Sequence, residues 1–254
     1  SNPLVNIVVP GLTIAGGLGF TVWADLRRST RRKSWSLHTR IMLAGSAGLL
    51  AVSIPAFAAL EWNNPETLGA MGSVPEKMMA AWFQATVARS SGFNTVDIAA
   101  LREPTTLLMA FLMMIGGGST STAGGIKVTT FIVLLVAVHA FFRRRDSLHI
   151  YGRSLGTETV LKVLAVTTVG LMVVLTGIFL LSLTHEGDFI GIAFEAVSAF
   201  GTVGLSRGTT GELDGFGRAI VILLMFIGRV GPLTLGFFLA ARVPPRVRSP
   251  AATV

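Results

Sequence analysis

Cysteine is absent from the 254 residues, tyrosine occurs once and histidine four times. Without thiols there is no disulfide framework, no thiolate nucleophile and no Cys-ligated metal site. The histidines, His38, His139, His149 and His185, form no HxxxH pair that would set two imidazoles on one helical face, so a metal enzyme has little to build from. Charge is scarce too. Only 13% of residues are charged and 51% are hydrophobic, whereas a soluble domain carries roughly 25% charged residues. An ordinary water-soluble surface is excluded at that density.

The net charge of +8 would suit nucleic acid, but its distribution argues against that partner. Basic residues gather in three clusters: Arg27, Arg28, Arg31, Arg32, Lys33 and Arg40; Arg143, Arg144, Arg145 and Arg153; and Arg242, Arg246 and Arg248. Acidic residues fall in the intervening connections, Glu61, Glu66, Glu76, Asp97 and Glu103, then Glu186, Asp188, Glu195, Glu212 and Asp214. Alternating basic and acidic connections are the mark of a multispanning membrane protein whose cytoplasmic loops keep the Lys/Arg. Five apolar stretches approach or exceed the roughly 20 residues a bilayer requires: 4–24, 40–60, 104–142, 157–183 and 217–241. With every basic cluster inside, all five orient without conflict. The opening SNPLVNIVVPG has neither Met nor a basic n-region and runs into Arg27 and Arg28, which reads as an N-terminally incomplete chain rather than a signal peptide.

Two apolar segments are too short to cross, VPEKMMAAWFQATVARSSGFNTVD from Val74 to Asp97 and DFIGIAFEAVSAFGTVGLSRG from Asp188 to Gly208. Lengths of about 10–14 residues suit re-entrant helices, and non-helical backbone at membrane depth survives only where protein buries it or water fills a cavity. The segments match at an offset of 112, with Trp82 on Phe194, Thr86 on Ser198, Val87 on Ala199 and Gly92 on Gly204. Such a repeat implies pseudo-symmetry about a shared pathway. Matched glycines free the backbone to aim carbonyls at an ion, and Thr202–Ser206, TVGLS, is close to the TVGYG potassium filter.

The long third stretch is interrupted by Gly116, Gly117, Gly118, Ser119, Thr120, Ser121, Thr122, Ala123, Gly124 and Gly125. Glycine costs about 1 kcal/mol relative to alanine in a helix, so the helix opens here into a loop. A phosphate-binding P-loop needs Gly-Lys-Ser/Thr, whereas Gly125 is followed by Ile126 and Lys127. Two cations lie within apolar stretches, Lys127 and Arg229. Lys127 is placed either to snorkel to the inner face or to act at the loop. Arg229 is read as a latch whose five donors hold loop carbonyls and whose charge repels cations, against a structural arginine bonded to helix ends. Glu195 either accepts backbone N–H groups behind Gly204 or caps its helix. The acidic connections give the outer mouth a negative potential or are simply solvated. Met109, Phe111, Met113 and Met114 read as packing or lipid-facing residues.

ARSSGFNTVD (Ala88–Asp97), GGGSTSTAGGIKVTTF (Gly116–Phe131), SAFGTVGLS (Ser198–Ser206) and MFIGRVGPLTL (Met225–Leu235) together resemble the C-terminal half of a Trk/Ktr/HKT-type potassium transporter subunit. The resemblance implies an all-α polytopic membrane protein of helix–pore-helix–helix repeats with re-entrant filter loops: the end of one unit with its cytoplasmic loop over 1–37, a pore unit over 38–145, and another with a cytoplasmic tail over 146–254. It implies a filter contributed here by Ser90, Ser91, Gly92 and Phe93 and by Thr202, Val203, Gly204 and Leu205, with potassium at Gly92 and Gly204, two of the family's four filter glycines. The 116–125 loop becomes the gate, with Lys127 and Arg229 as gate cations. Potassium, with sodium as an alternative, is then a substrate and no covalent cofactor is expected. Partners would be the lipid bilayer, a second copy in a homodimer, and a cytosolic ring of nucleotide-binding regulatory subunits docking on the basic loops of the inner membrane protein. Two rivals are a non-conducting membrane subunit and an intramembrane serine hydrolase, since GLSRG satisfies the nucleophile-elbow pattern at Ser206.

Overall fold

In the computed structural model, residues 3–28, 35–144, 148–151 and 153–231 are described, and the statements that follow concern these. The chain is helical apart from one short antiparallel hairpin, β1 (Leu148–Ile150) against β2 (Arg153–Leu155). Helix α3 (Leu37–Glu61) and helix α7 (Thr157–Thr184) are each long and apolar enough to cross a membrane. At about 1.5 Å per residue, the 25 and 28 residues of these helices exceed a hydrocarbon core of about 30 Å. Ser36 starts α3 by accepting the Thr39 N–H at 3.2 Å.

The first expected span, 4–24, is not straight. It divides into α1 (Pro3–Leu18) and α2 (Phe20–Arg28), which meet at 86°. Gly19 lies between them at φ +83°, and a Cβ there would stand 2.7 Å from Thr120 Oγ1. The corner therefore requires glycine for both conformation and space. The third stretch breaks as expected, into α5 (Glu103–Met114) and α6 (Val128–Phe142). Its break is closed at the base, where Ile126 N–H bonds Met114 O at 3.0 Å and Gly116 N–H bonds Ile126 O at 2.8 Å.

The two re-entrant segments form α4 (Val74–Val87) and α8 (Phe189–Gly201). Ser73 caps α4 through Glu76 N–H, and Asp188 caps α8 through the N–H groups of Ile190 and Gly191. A short α9 (Thr209–Glu212) precedes α10 (Gly215–Val230), capped by Asp214 on Gly217 N–H at 2.7 Å. The expected fifth span, 217–241, is described only to Gly231, where φ is +89° and α10 has ended.

Burial inverts the usual relation of length to depth. The short α8 buries all but one residue from Gly191 to Gly201, while the longest helix, α7, turns Leu171, Met172, Leu175 and Phe179 outward. Apolar side chains gain little by leaving lipid for protein, so close packing and small residues hold such an assembly. Gly228 of α10 meets the Phe200 carbonyl oxygen so closely that no Cβ would fit, Gly170 of α7 lies against the Phe200 ring, and Gly177 lies against Leu224. Phe57, Met109, Met113, Phe194 and Phe200 fill the main core around α8.

Candidate pore site

Helices α4 and α8 are each followed by a glycine with positive φ, Gly92 at +65° and Gly204 at +93°. The arms that carry them touch. A Cβ on Gly92 would overlap the Val203 carbonyl oxygen and lie 3.3 Å from Gly204 Cα. Residues matched by the 112-residue repeat are thus brought face to face. Each glycine follows the C-terminal end of its helix by a few residues, and such an end carries about half an elementary negative charge, the sign that favours a cation. Ser90, Ser91 and Phe93 border a cavity of about 370 Å³ toward α1, where Ser91 Oγ lies 2.6 Å from Thr13 Oγ1. Gly204 is exposed, Gly92 and Thr202 are half-buried, and Val203 and Leu205 are buried.

The second arm is braced from behind. Ser198 accepts Val203 N–H on its carbonyl at 3.0 Å and Gly204 N–H on its hydroxyl at 3.2 Å. Its repeat partner Thr86 has a buried hydroxyl without a hydrogen-bond partner among the described residues, and the first arm is instead tied by Thr95 N–H to Gln84 Oε1 at 3.4 Å. The Glu195 carboxylate accepts the hydroxyls of Ser206 and Thr210, rather than backbone N–H groups behind Gly204. The nucleophile reading of Ser206 is not supported, because its hydroxyl donates to Glu195 and accepts the Gly208 N–H, so that among the described residues it forms no serine–histidine pair, and His185 lies 3.6 Å from Glu212. Arg207, just beyond the second arm, ties it to the start of α5, donating to Thr106 Oγ1 at 2.7 Å and to Ala99 O at 3.2 Å.

The Gly116–Gly125 loop lies against three partners. On one side Gly118 N–H bonds Gly17 O at 2.7 Å, and Phe20 N–H bonds Thr120 O at the α1–α2 corner. On another, Gly124 N–H bonds Thr202 Oγ1 at 3.0 Å, at the base of the second arm. On the third, the Lys127 ammonium donates to Ala123 O and the Arg229 guanidinium to Thr122 O. Consecutive loop carbonyls therefore hold the two cations, and Lys127 is engaged with the loop instead of snorkelling. Both cations border a cavity of about 480 Å³ with Ser119, Ser121 and Thr130.

Several of the acidic residues assigned to an outer potential are structural. Asp188 and Asp214 are helix caps, and Asp97 accepts Ala99 N–H. Glu61 is fully buried and gathers Asn64, Thr67, Thr105 and the Arg102 N–H around one carboxylate. Glu61 and Arg207 have no local sequence signal for these roles, because Arg102 and Thr105, and Ala99 and Thr106, reach them from distant positions, and Gln84 is tied to Thr95 within its own re-entrant segment. Arg89 has no such signal either: it is 7% exposed, and its Nε has no partner among the described residues. Met109 and Met113 are buried packing residues, and Phe111 is exposed.

A family model described as TrkH, cation transport protein, matches residues 1–245. The chain is 45% identical over 253 residues to Ktr system potassium uptake protein B of Bacillus subtilis, covering 100% of itself and 57% of that relative. It is 37% identical over 246 residues to the potassium/sodium uptake protein NtpJ of Enterococcus hirae, covering 95% of itself and 54% of the relative. Its fold matches the crystal structure of the potassium transporter TrkH from Vibrio parahaemolyticus with a TM-score of 0.77 at 19% identity, over 94% of this chain and 53% of that one. The chain spans just over half the length of these curated relatives.

Proposed function

The chain belongs to the TrkH family of cation transport proteins, and from that premise we propose that it carries potassium through a filter to which Ser90–Phe93 and Thr202–Leu205 contribute two arms. The observation that supports this most is the meeting of Gly92 and Gly204 at the C-terminal ends of two re-entrant helices. Backbone carbonyls there replace the hydration shell of the ion, and the helix ends supply negative potential. Sodium is the second candidate ion, favoured by the potassium/sodium name of the Enterococcus hirae relative.

Residues 38–145 and 146–254 act as two pore units, with 1–37 completing a third. The Gly116–Gly125 loop is the gate, held by Lys127 and Arg229. The protein lies in the cytoplasmic membrane with its basic connections inside, pairs as a homodimer, and is controlled by cytosolic nucleotide-binding subunits. Those connections would also attract anionic lipid, at about 1 kcal/mol per basic residue.

The test is growth at low potassium of an uptake-deficient bacterium carrying the full-length protein. Wild type restores growth and Gly204→Ser does not. No rescue by wild type, or rescue unchanged by Gly204→Ser, would favour a non-conducting subunit. Arg229→Gln removes a charge-assisted hydrogen bond to Thr122 O. Its expected effect is about a tenfold rise in rubidium leak when the regulatory subunits are withheld, the size of one such bond, read by tracer flux into proteoliposomes.

A further inference from the structure

The 112-residue repeat sets Arg89, the residue before the first arm, against Gly201. No side chain fits at Gly201, where a Cβ would fall 2.5 Å from Met113 O, yet the first unit carries a guanidinium at the matched place. Arg89 is 7% exposed, its Nε–H has no hydrogen-bond partner, and no carboxylate pairs with it among the described residues. A charge buried so far calls for a polar partner. Thr86, three residues back on α4, is 1% exposed, and its hydroxyl is likewise unpartnered. Both residues border one cavity of about 10 Å³, together with Thr13, Ser46 and Ser90. A space of roughly 10–15 Å³ is what a single water molecule requires. The second arm needs no such filling, because Ser198, the repeat partner of Thr86, takes the Gly204 N–H directly on its hydroxyl at 3.2 Å.

We infer that Arg89 is a positioning residue for the first filter arm, and that it acts through one water molecule bound between its Nε–H and the Thr86 hydroxyl. This rests on the potassium-transport reading. The water oxygen accepts the Arg89 Nε–H, and the water donates to Thr86 Oγ1. The Ser46 hydroxyl, from α3, borders the same space and offers a third partner, within the two to four that a buried water takes. A bridge of this kind is nearly as favourable as a direct bond. It anchors the start of the first arm to α4, where the second arm uses the Ser198 hydroxyl instead. Arg89 adjoins Ser90, so loss of the bridge loosens the arm at its root. A filter that replaces the hydration shell of an ion depends on where its carbonyls stand, and a loosened arm is expected to admit sodium more readily.

The experiment is tracer rubidium uptake into proteoliposomes holding the full-length protein, with sodium as competitor. Arg89→Gln lowers the sodium concentration that halves uptake about tenfold, the size of one hydrogen bond to a charged group. Thr86→Val, equal in shape but without the hydroxyl, lowers it about fivefold, and Thr86→Ser, which restores the oxygen, returns the parental value. The double variant is no worse than Arg89→Gln alone, because both substitutions remove the same bridge. Unchanged sodium competition in Arg89→Gln overturns the inference. So do effects of the two substitutions that multiply in the double variant, since residues joined by one water cannot act independently. Absence of rubidium uptake by the parent protein is a separate result, and it removes the transport reading itself. If Arg89→Gln cannot be recovered folded, a high-resolution density map of the full-length parent decides. A solvent peak within hydrogen-bond distance of both Arg89 Nε and Thr86 Oγ1 is expected, and a protein group bonded directly to that Nε overturns the bridge.

Discussion

Gly92→Ala in the full-length protein is expected to abolish growth at low potassium and to reduce rubidium uptake at least a hundredfold. Two effects combine. The left-handed conformation at φ +65° costs an L-residue about 1–2 kcal/mol. The larger effect is steric, because the new methyl would occupy the position of the Val203 carbonyl oxygen, a backbone atom that cannot rotate aside. The arms must separate, and for the proposed filter a displacement of even part of an ångström is large compared with the tolerance of a site that would replace water around an ion. Gly204→Ala supplies the control. Its φ of +93° carries the conformational penalty, but its Cβ would meet nothing closer than Gly92 Cα at 3.9 Å. Uptake should therefore fall about tenfold, as expected from backbone strain alone. Equal effects of the two alanines would show that the contact between the arms does not matter, and that each glycine serves only its own turn.

The second large effect is on stability. Glu61→Ala should lower the thermal midpoint of the detergent-solubilised protein by roughly 10 °C, from a loss of at least about 3 kcal/mol. The carboxylate, 0% exposed at the end of α3, accepts from Asn64 Nδ2 at 2.6 Å, from the hydroxyls of Thr67 and Thr105, and from Arg102 N–H at 3.1 Å. Alanine leaves these donors buried with nothing to accept them, and it unties the end of α3 from the start of α5. Glu61→Gln keeps the shape and one oxygen, so its midpoint should fall by about half as much. If Glu61→Ala left the midpoint unchanged, the carboxylate would be a solvated charge, as a sequence reading equally permits.

The repeat was legible because two short apolar runs share a spacing and end in matched glycines, and an interrupted apolar stretch has few other folds available. The break at Gly116–Gly125 followed from glycine content alone. Glu61 was not legible. A carboxylate after an apolar run looks the same whether water or four protein donors surround it, and only the fold brings Thr105 to it. Arg207 is hidden for the same reason, since its partners Ala99 and Thr106 lie about a hundred residues away. The corner between α1 and α2 is a different case. GGLGF offers Gly16, Gly17 and Gly19, yet only Gly19 takes positive φ, because that is where Thr120 presses on the backbone. Local composition signals that a bend is permitted, and a distant residue decides where it occurs.

The depth at which α8 lies also bears on how the chain is assembled. With 13 residues, α8 cannot bridge a bilayer, and its nearly complete burial means that the surfaces enclosing it belong to α5, α7 and α10. Helix α10 emerges from synthesis after α8, so the pocket for α8 does not exist when its own residues leave the ribosome. The segment is therefore expected to wait at the membrane interface and to enter once its successor has been inserted. The arm that includes Gly204, half of the proposed filter, is then expected to be a late product of biogenesis, completed only when the helix that follows it closes the wall.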